Sequence, residues 1–192
     1  MQDDTRNILI VGVGGQGVIL ASTALSEVAM SSGYDVKKNE AHGQSQRGGT
    51  VPSHVRYGKK VYSPIIARGE ADTVLAFEEL EGLRFAHYLR KRGNMILNRQ
   101  RIYTPRVSSG LDRYPEDVVS NLRSEGIDTV EVDALRIAQE LGNPLVVSTV
   151  LLGVLSRYLE FPPEKWKNVL ARLVPPKHRE VNLKAFNKGM DL

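Results

Sequence analysis

Cysteine is absent from all 192 residues of this chain, which excludes disulfides, thiolate-held iron–sulfur clusters, zinc–thiolate sites and cysteine nucleophiles. No apolar run approaches the roughly 18 residues that a membrane-spanning helix needs. The opening Met1-Gln2-Asp3-Asp4-Thr5-Arg6 lacks the basic region and apolar core of a signal peptide, so a soluble, cytoplasmic protein with no membrane partner is expected. Neither sign of charge dominates: 26 Lys and Arg against 22 Asp and Glu give a net charge of +4, which is no nucleic-acid signature by itself. Catalytic patterns are missing too. No carboxylate pair, Ser-His-Asp order or His-Glu-x-x-His segment stands out, so neither a catalytic residue nor a metal ligand is assigned.

What is present is the composition of an ordinary globular protein, 41% hydrophobic and 25% charged, on a chain long enough for one well-buried core. One domain spanning residues 1–192 is the default. The most informative stretch is 7–17, where Ile8-Leu9-Ile10-Val11 runs into Gly12-Val13-Gly14-Gly15-Gln16-Gly17 and then into a helical pattern. Strand, glycine turn and helix start stand in the order that a phosphate cradle requires, with free N–H groups at a positive dipole end. A dinucleotide site also needs an acid about 20 residues on, at the tip of the second strand. Asp35 and Glu40 are the candidates, and neither is placed cleanly, so a stand-alone NAD(P)- or flavin-binding oxidoreductase and a glycine turn kept only for packing both stay open.

Periodicity places helices over 18–32, 78–92, 133–141, 145–159 and 162–173, and one opening at Pro115. The tail carries Val181, Leu183 and Phe186. Strands are expected over 8–11, 34–39, 50–57, 73–77, 94–97 and 128–132. Gly58-Lys59 reads as a hairpin turn into a returning strand over 60–67, with Pro64 at its edge. The alternation gives an α/β, doubly wound, mostly parallel Rossmann-like sheet, with a small antiparallel ribbon and a helical C-terminal extension from about residue 145.

A second signal is the polar loop at 40–49, whose donors His42, Ser45, Gln46 and Arg47 accompany the N–H groups around Gly48 and Gly49. Together these make an anion-binding concavity, with Arg47 offering a planar fork to phosphate or carboxylate. At the carboxyl edge of the sheet it would face the glycine turn across the usual ligand crevice. Candidate cofactor-binding residues are therefore Gly12, Gly14, Gly15, Gln16, Gly17, His42, Ser45, Gln46, Arg47, Gly48 and Gly49. A third feature is residues 84–106, with seven basic residues and no acid: Arg84, Arg90, Lys91, Arg92, Arg99, Arg101 and Arg106. Such a run is most often a solvated face, and docking to a partner or to nucleic acid is the alternative. Tyr103 is the one aromatic near its centre, too little for base stacking.

The pairing of the glycine turn with His42-Gly43-Gln44-Ser45-Gln46-Arg47-Gly48-Gly49 resembles the gamma-type subunit or domain of 2-oxoacid:ferredoxin oxidoreductases. Within that group, length and stand-alone chain are most similar to the small, beta subunits of the indolepyruvate-type enzymes. One departure is Gln44, where methionine is expected. The resemblance implies an accessory subunit in the CoA-dependent oxidative decarboxylation of an aryl pyruvate, with reduction of ferredoxin. It implies thiamine diphosphate, Mg and [4Fe-4S] clusters on a large partner subunit, coenzyme A as the group this chain would contact, and a homodimer as an option when isolated. The absence of cysteine agrees, as does the absence of a Gly-Asp-Gly segment followed by asparagine for a Mg-diphosphate.

Overall fold

A computed structural model describes residues 5–40, 49–103, 105–111 and 113–192. Its first half runs β1 (Arg6–Val13), α1 (Val18–Ser31), β2 (Asp35–Glu40), β3 (Thr50–Gly58), β4 (Ala71–Ala76), α2 (Glu79–Phe85) and β5 (Leu89–Asn98). Then follow α3 (Pro105–Ser108), α4 (Val118–Ser124), β6 (Asp128–Val132), α5 (Ala134–Glu140), α6 (Val147–Ser156), α7 (Pro163–Leu173) and α8 (Arg179–Met190). The strands form one sheet in the order β2-β3-β1-β4-β5-β6. β1, β4, β5 and β6 are parallel neighbours, and β3 alone runs the other way between β2 and β1.

β1 alternates between two cores because successive side chains leave a strand on opposite faces. Ile8 and Ile10 join the face covered by α1 and α5 to α8, whereas Leu9 and Val11 join the face covered by α2 and α4. The doubly wound, mostly parallel sheet expected from the alternation is therefore present, with helices on both sides. The C-terminal helices share one apolar cluster with the sheet, where Trp166 stacks on Phe186.

The expected ribbon is the first correction. Residues 50–58 form a strand, but they pair with β1 and β2 inside the main sheet, and no strand forms over 60–67. That segment instead straps the α2 face, since Ile66 is buried and its N–H donates to Nδ1 of His54 on β3 at 3.2 Å. Arg56 holds the same strap through the carbonyls of Ser63 and Ile65. Pro52, which lacks a ladder donor, is tolerated because β2 ends at the Glu40–Ser53 pair just before it.

Three boundaries also move. The helix expected over 78–92 stops at Phe85, a short 3-10 turn covers Ala86–Tyr88, and β5 begins at Leu89. Thr73 pairs with Asn94 while Ala71 pairs with Leu89, so residues 90–93 bulge out of the ladder. Arg92 has φ 68°, and a Cβ on Gly93 would stand 2.8 Å from the Ala71 carbonyl. The helix expected from Pro115 starts at Val118, and the tail around Val181 is the helix α8.

α8 lies on α6 at a contact that only glycine permits: a Cβ on Gly189 would stand 2.0 Å from the Val150 carbonyl oxygen, and one on Gly153 2.2 Å from that of Phe186. Helix propensity alone would make Gly189→Ala stabilising by about 1 kcal/mol. Forced separation of the helices reverses the sign, and a net loss of about 1–3 kcal/mol is expected in urea denaturation.

His54 supplies a pH signature. Burial pushes its imidazole below the usual histidine value, so the unfolded chain takes the proton first as pH falls. Its contribution is fully present above about pH 6.5 and is lost as pH drops toward the folded value. The stability difference between wild type and His54→Gln should therefore shrink from pH 8 to pH 5.

Candidate functional site

The carboxyl edge of the sheet gathers the ends of β1, β4 and β5 and the start of β3. There the glycine turn bends into α1. Gly15 has φ 99° and Gly17 φ 91°, both in the left-handed region open to glycine. Around Gly15 a Cβ would meet none of the described residues within 4 Å. A hollow of about 310 Å³ opens here, bounded by Gly14, Gly15 and Gly17 with Val13, Val18, Ile19 and Val51. Gly17 caps α1 without a side-chain hydrogen bond, and Gly17, Val18 and Ile19 at the helix start line the hollow, at the positive end of the helix dipole.

The second motif reaches the same place from its far end. Gly14 donates its N–H to the carbonyl of Gly49 at 2.9 Å, and Val13 stands opposite Thr50 in the ladder. The near end is Glu40, the last residue of β2, on that same edge of the sheet. His42, Ser45, Gln46, Arg47 and Gly48 lie outside the described residues. Of the candidate set, Gly14, Gly15, Gly17 and Gly49 come together.

Gly12 and Gln16 are used differently from the expectation. A Cβ on Gly12 would sit 2.9 Å from Cβ of Phe77, so this glycine serves the close approach of turn and β4 end. Gln16 points inward. Its Oε1 accepts from the Val13 N–H at 2.7 Å, and its Nε2 donates to the Phe77 carbonyl at 3.0 Å and to Oε1 of Gln100 at 3.2 Å. The amide thus fills the β1–β4 crevice that a dinucleotide would need. Asn98 extends the net by donating to the same two acceptors while accepting the Ala134 N–H.

Neither acid proposed for a ribose is available for one. Asp35 stands at the opposite edge, where it pairs with Lys37 and Lys60 and takes the Val61 N–H. Glu40 accepts Ser22 Oγ at 2.6 Å and pairs with Lys38, and β3 separates its strand from β1 by about 10 Å in all.

The functional edge also holds a cluster that sequence reasoning missed. Glu78, Glu79 and Glu81 are all nearly inaccessible. Glu78 caps α2 by accepting the Glu81 N–H, and its other oxygen takes the Tyr114 hydroxyl and the Ile102 N–H. Burial and the Glu78 carboxylate push the Tyr114 hydroxyl up, so it remains a donor. Glu79 pairs with Arg101 at 2.7 Å, and Arg101 lies over the Tyr114 ring. The available signal was three acids at the carboxyl end of a buried strand, where a helix dipole begins.

The basic run at 84–106 divides. Arg84 and Arg101 pair with Glu81 and Glu79 at the carboxyl edge, Arg99 with Glu131, and Arg90 with Asp72 at the amino edge. No continuous cationic face results from these four. The Arg106 side chain lies outside the described ones. Among the described residues no group of His, Asp or Glu is arranged to hold a metal ion, and no helix is long and apolar enough to cross a membrane.

The family described as pyruvate ferredoxin/flavodoxin oxidoreductase matches residues 7–192. Over 189 residues the chain is 41% identical to indolepyruvate oxidoreductase subunit IorB of Thermococcus kodakarensis, covering 96% of this chain and 94% of that protein. It is 40% identical to the subunit of the same name from Pyrococcus horikoshii, with equal coverage. Among solved structures, 2-oxoglutarate:ferredoxin oxidoreductase from Magnetococcus marinus, with 2-oxoglutarate, coenzyme A and succinyl-CoA bound, shares the fold. The TM-score is 0.76 at 19% identity, over 99% of this chain and 31% of that one.

The inward role of Gln16 is testable without any ligand. Gln16→Leu keeps the volume but leaves the Val13 N–H without its acceptor, while the Phe77 carbonyl keeps Asn98, and a loss of about 1–3 kcal/mol in urea denaturation is expected. Unchanged stability would return Gln16 to the ligand side.

Proposed function

The chain belongs to the pyruvate ferredoxin/flavodoxin oxidoreductase family, and from that premise we propose that it is the accessory small subunit of an indolepyruvate-type 2-oxoacid:ferredoxin oxidoreductase. The observation that carries this reading is near-complete alignment, at 41% identity, with a relative named as such a subunit. The reaction is oxidative decarboxylation: 2-oxoacid and coenzyme A give acyl-CoA and carbon dioxide, and two electrons pass to ferredoxin. On this reading the iron–sulfur centres, thiamine diphosphate and Mg sit on a large partner subunit, as the resemblance implies; for the clusters the absence of cysteine agrees. Aryl pyruvate is favoured over other 2-oxoacids by the relatives' names, and the cytoplasm by the partner chemistry.

For this chain we assign the coenzyme A side. The residues present suit an anionic, partly apolar ligand: the backbone at Gly15 and the uncapped start of α1 would hold a phosphate, beside walls of Val13, Val18, Ile19 and Val51. Coenzyme A, when bound, supplies the thiol that takes up the acyl group. Gly49, tied to Gly14, lies at this edge; among His42, Ser45, Gln46, Arg47 and Gly48 we propose Arg47 as the charged fork for the phosphate.

Alone, the chain should be inactive; mixed with the large thiamine and iron–sulfur subunit it should restore ferredoxin reduction by indolepyruvate and CoA. Arg47→Ala should lower reconstituted kcat/KM for CoA by about 10–100-fold with little change in Tm. Tight NAD(P) binding by the isolated chain, or a large Tm loss in the variant, would count against the assignment.

A further inference from the structure

Glu81 is 3% exposed, yet only one of its carboxylate oxygens is used by the described residues. Oε1 accepts the Thr50 hydroxyl at 3.2 Å and an Arg84 N–H at 3.1 Å, while Oε2 is buried with no hydrogen-bond partner among the described residues. Arg84 closes the triangle by donating to Thr50 Oγ1 at 3.2 Å. Half-satisfied buried carboxylates are expensive, and a fold selected for stability alone would replace one. Burial accordingly pushes the Glu81 carboxyl up, with Glu78 adding to the rise and Thr50 and Arg84 opposing it.

The location gives this cost a purpose. Thr50 is the first residue of β3, next to Gly49, whose carbonyl receives the Gly14 N–H. Gly82 allows the approach, since a Cβ there would stand 2.5 Å from Leu97 Cδ1, so α2 lies flat enough on β4 and β5 to put Glu81 under Thr50. The remaining acids of this corner are committed elsewhere, Glu78 to Tyr114 and Ile102 and Glu79 to Arg101. Glu81 alone among the three reaches across to β3.

We propose that Glu81, through Thr50 and Arg84, is a positioning residue: the triangle clasps the start of β3 to α2 and so fixes the Gly49 carbonyl against Gly14 at the mouth of the glycine-turn hollow. The clasp itself is independent of any ligand. Its bearing on turnover rests on the accessory-subunit reading above.

A merely structural Glu81 and a positioning one differ in sign. Because the fold disfavours its ionised form, Glu81→Gln should leave the isolated chain as stable as wild type, or more so, at pH 7.5. Hydrogen exchange of the Gly14 amide should nevertheless speed up about tenfold, the scale of one weakened hydrogen bond, with core amides of β4 unchanged. Thr50→Val, which keeps the shape and removes the hydroxyl, should speed the same amide. In the reconstituted complex Glu81→Gln should raise KM for CoA more than it lowers kcat. Unchanged Gly14 exchange in both variants overturns the clasp, as does a loss of stability that speeds exchange everywhere. Faster Gly14 exchange with unaltered kinetics would keep the clasp and instead overturn the assignment of this hollow to coenzyme A.

Discussion

The hydrogen bond from Gly14 to Gly49 is the joint on which the site depends. It exists because β3 enters the sheet antiparallel, directly beside β1, so that the residue following the polar loop must lie against the residue that opens the glycine turn. An antiparallel neighbour brings the start of one strand to the end of the other. A parallel neighbour in that position would have carried the loop to the opposite edge. The same insertion moves β2 one strand further from β1, which takes Glu40 away from the place where a ribose would be read.

Around this joint the carboxyl edge is built from polar groups that bind one another. Gln16 and Asn98 both donate to the Phe77 carbonyl and to Gln100 Oε1, and Glu78 accepts from Tyr114, Ile102 and Glu81. Buried networks of this kind rigidify a surface that would otherwise be a set of loops. Groups that sit on a fixed scaffold keep their spacing. The C-terminal helices serve the same end at a distance. α6 meets α8 at the glycine contact, and Ser148 of α6 lies against the Gly17 position.

The core positions of β1 and β4, the glycine turn, the two-sided winding and the resemblance to 2-oxoacid:ferredoxin oxidoreductases were legible in the chain, and the family match bears the resemblance out. The ribbon was not, because alternation over 50–57 reports a strand and never its neighbours, and Pro64 and Gly58 imitate a hairpin that the strap anchored by His54 and Arg56 replaces. Gln16 entered the candidate set as part of the glycine turn, and its inward hydrogen bonds were not legible there. Its inward turn depends on Phe77 and Gln100, which lie 61 and 84 residues away. Glu81 carried no mark beyond two neighbouring acids.

Local patterning by itself determined the centres of the main-sheet strands and of most helices, the place of the glycine turn, and that no thiolate chemistry resides on this chain. These follow from periodicity, from glycine's freedom and from composition, none of which needs a distant residue. Tertiary structure alone decided the order of the strands, and with it that Gly14 meets Gly49, that four cations of the basic run pair with separate carboxylates, and that a buried acid lies beneath the start of β3. Each of these depends on contacts between residues far apart in sequence, whose energies arise only when the sheet has assembled.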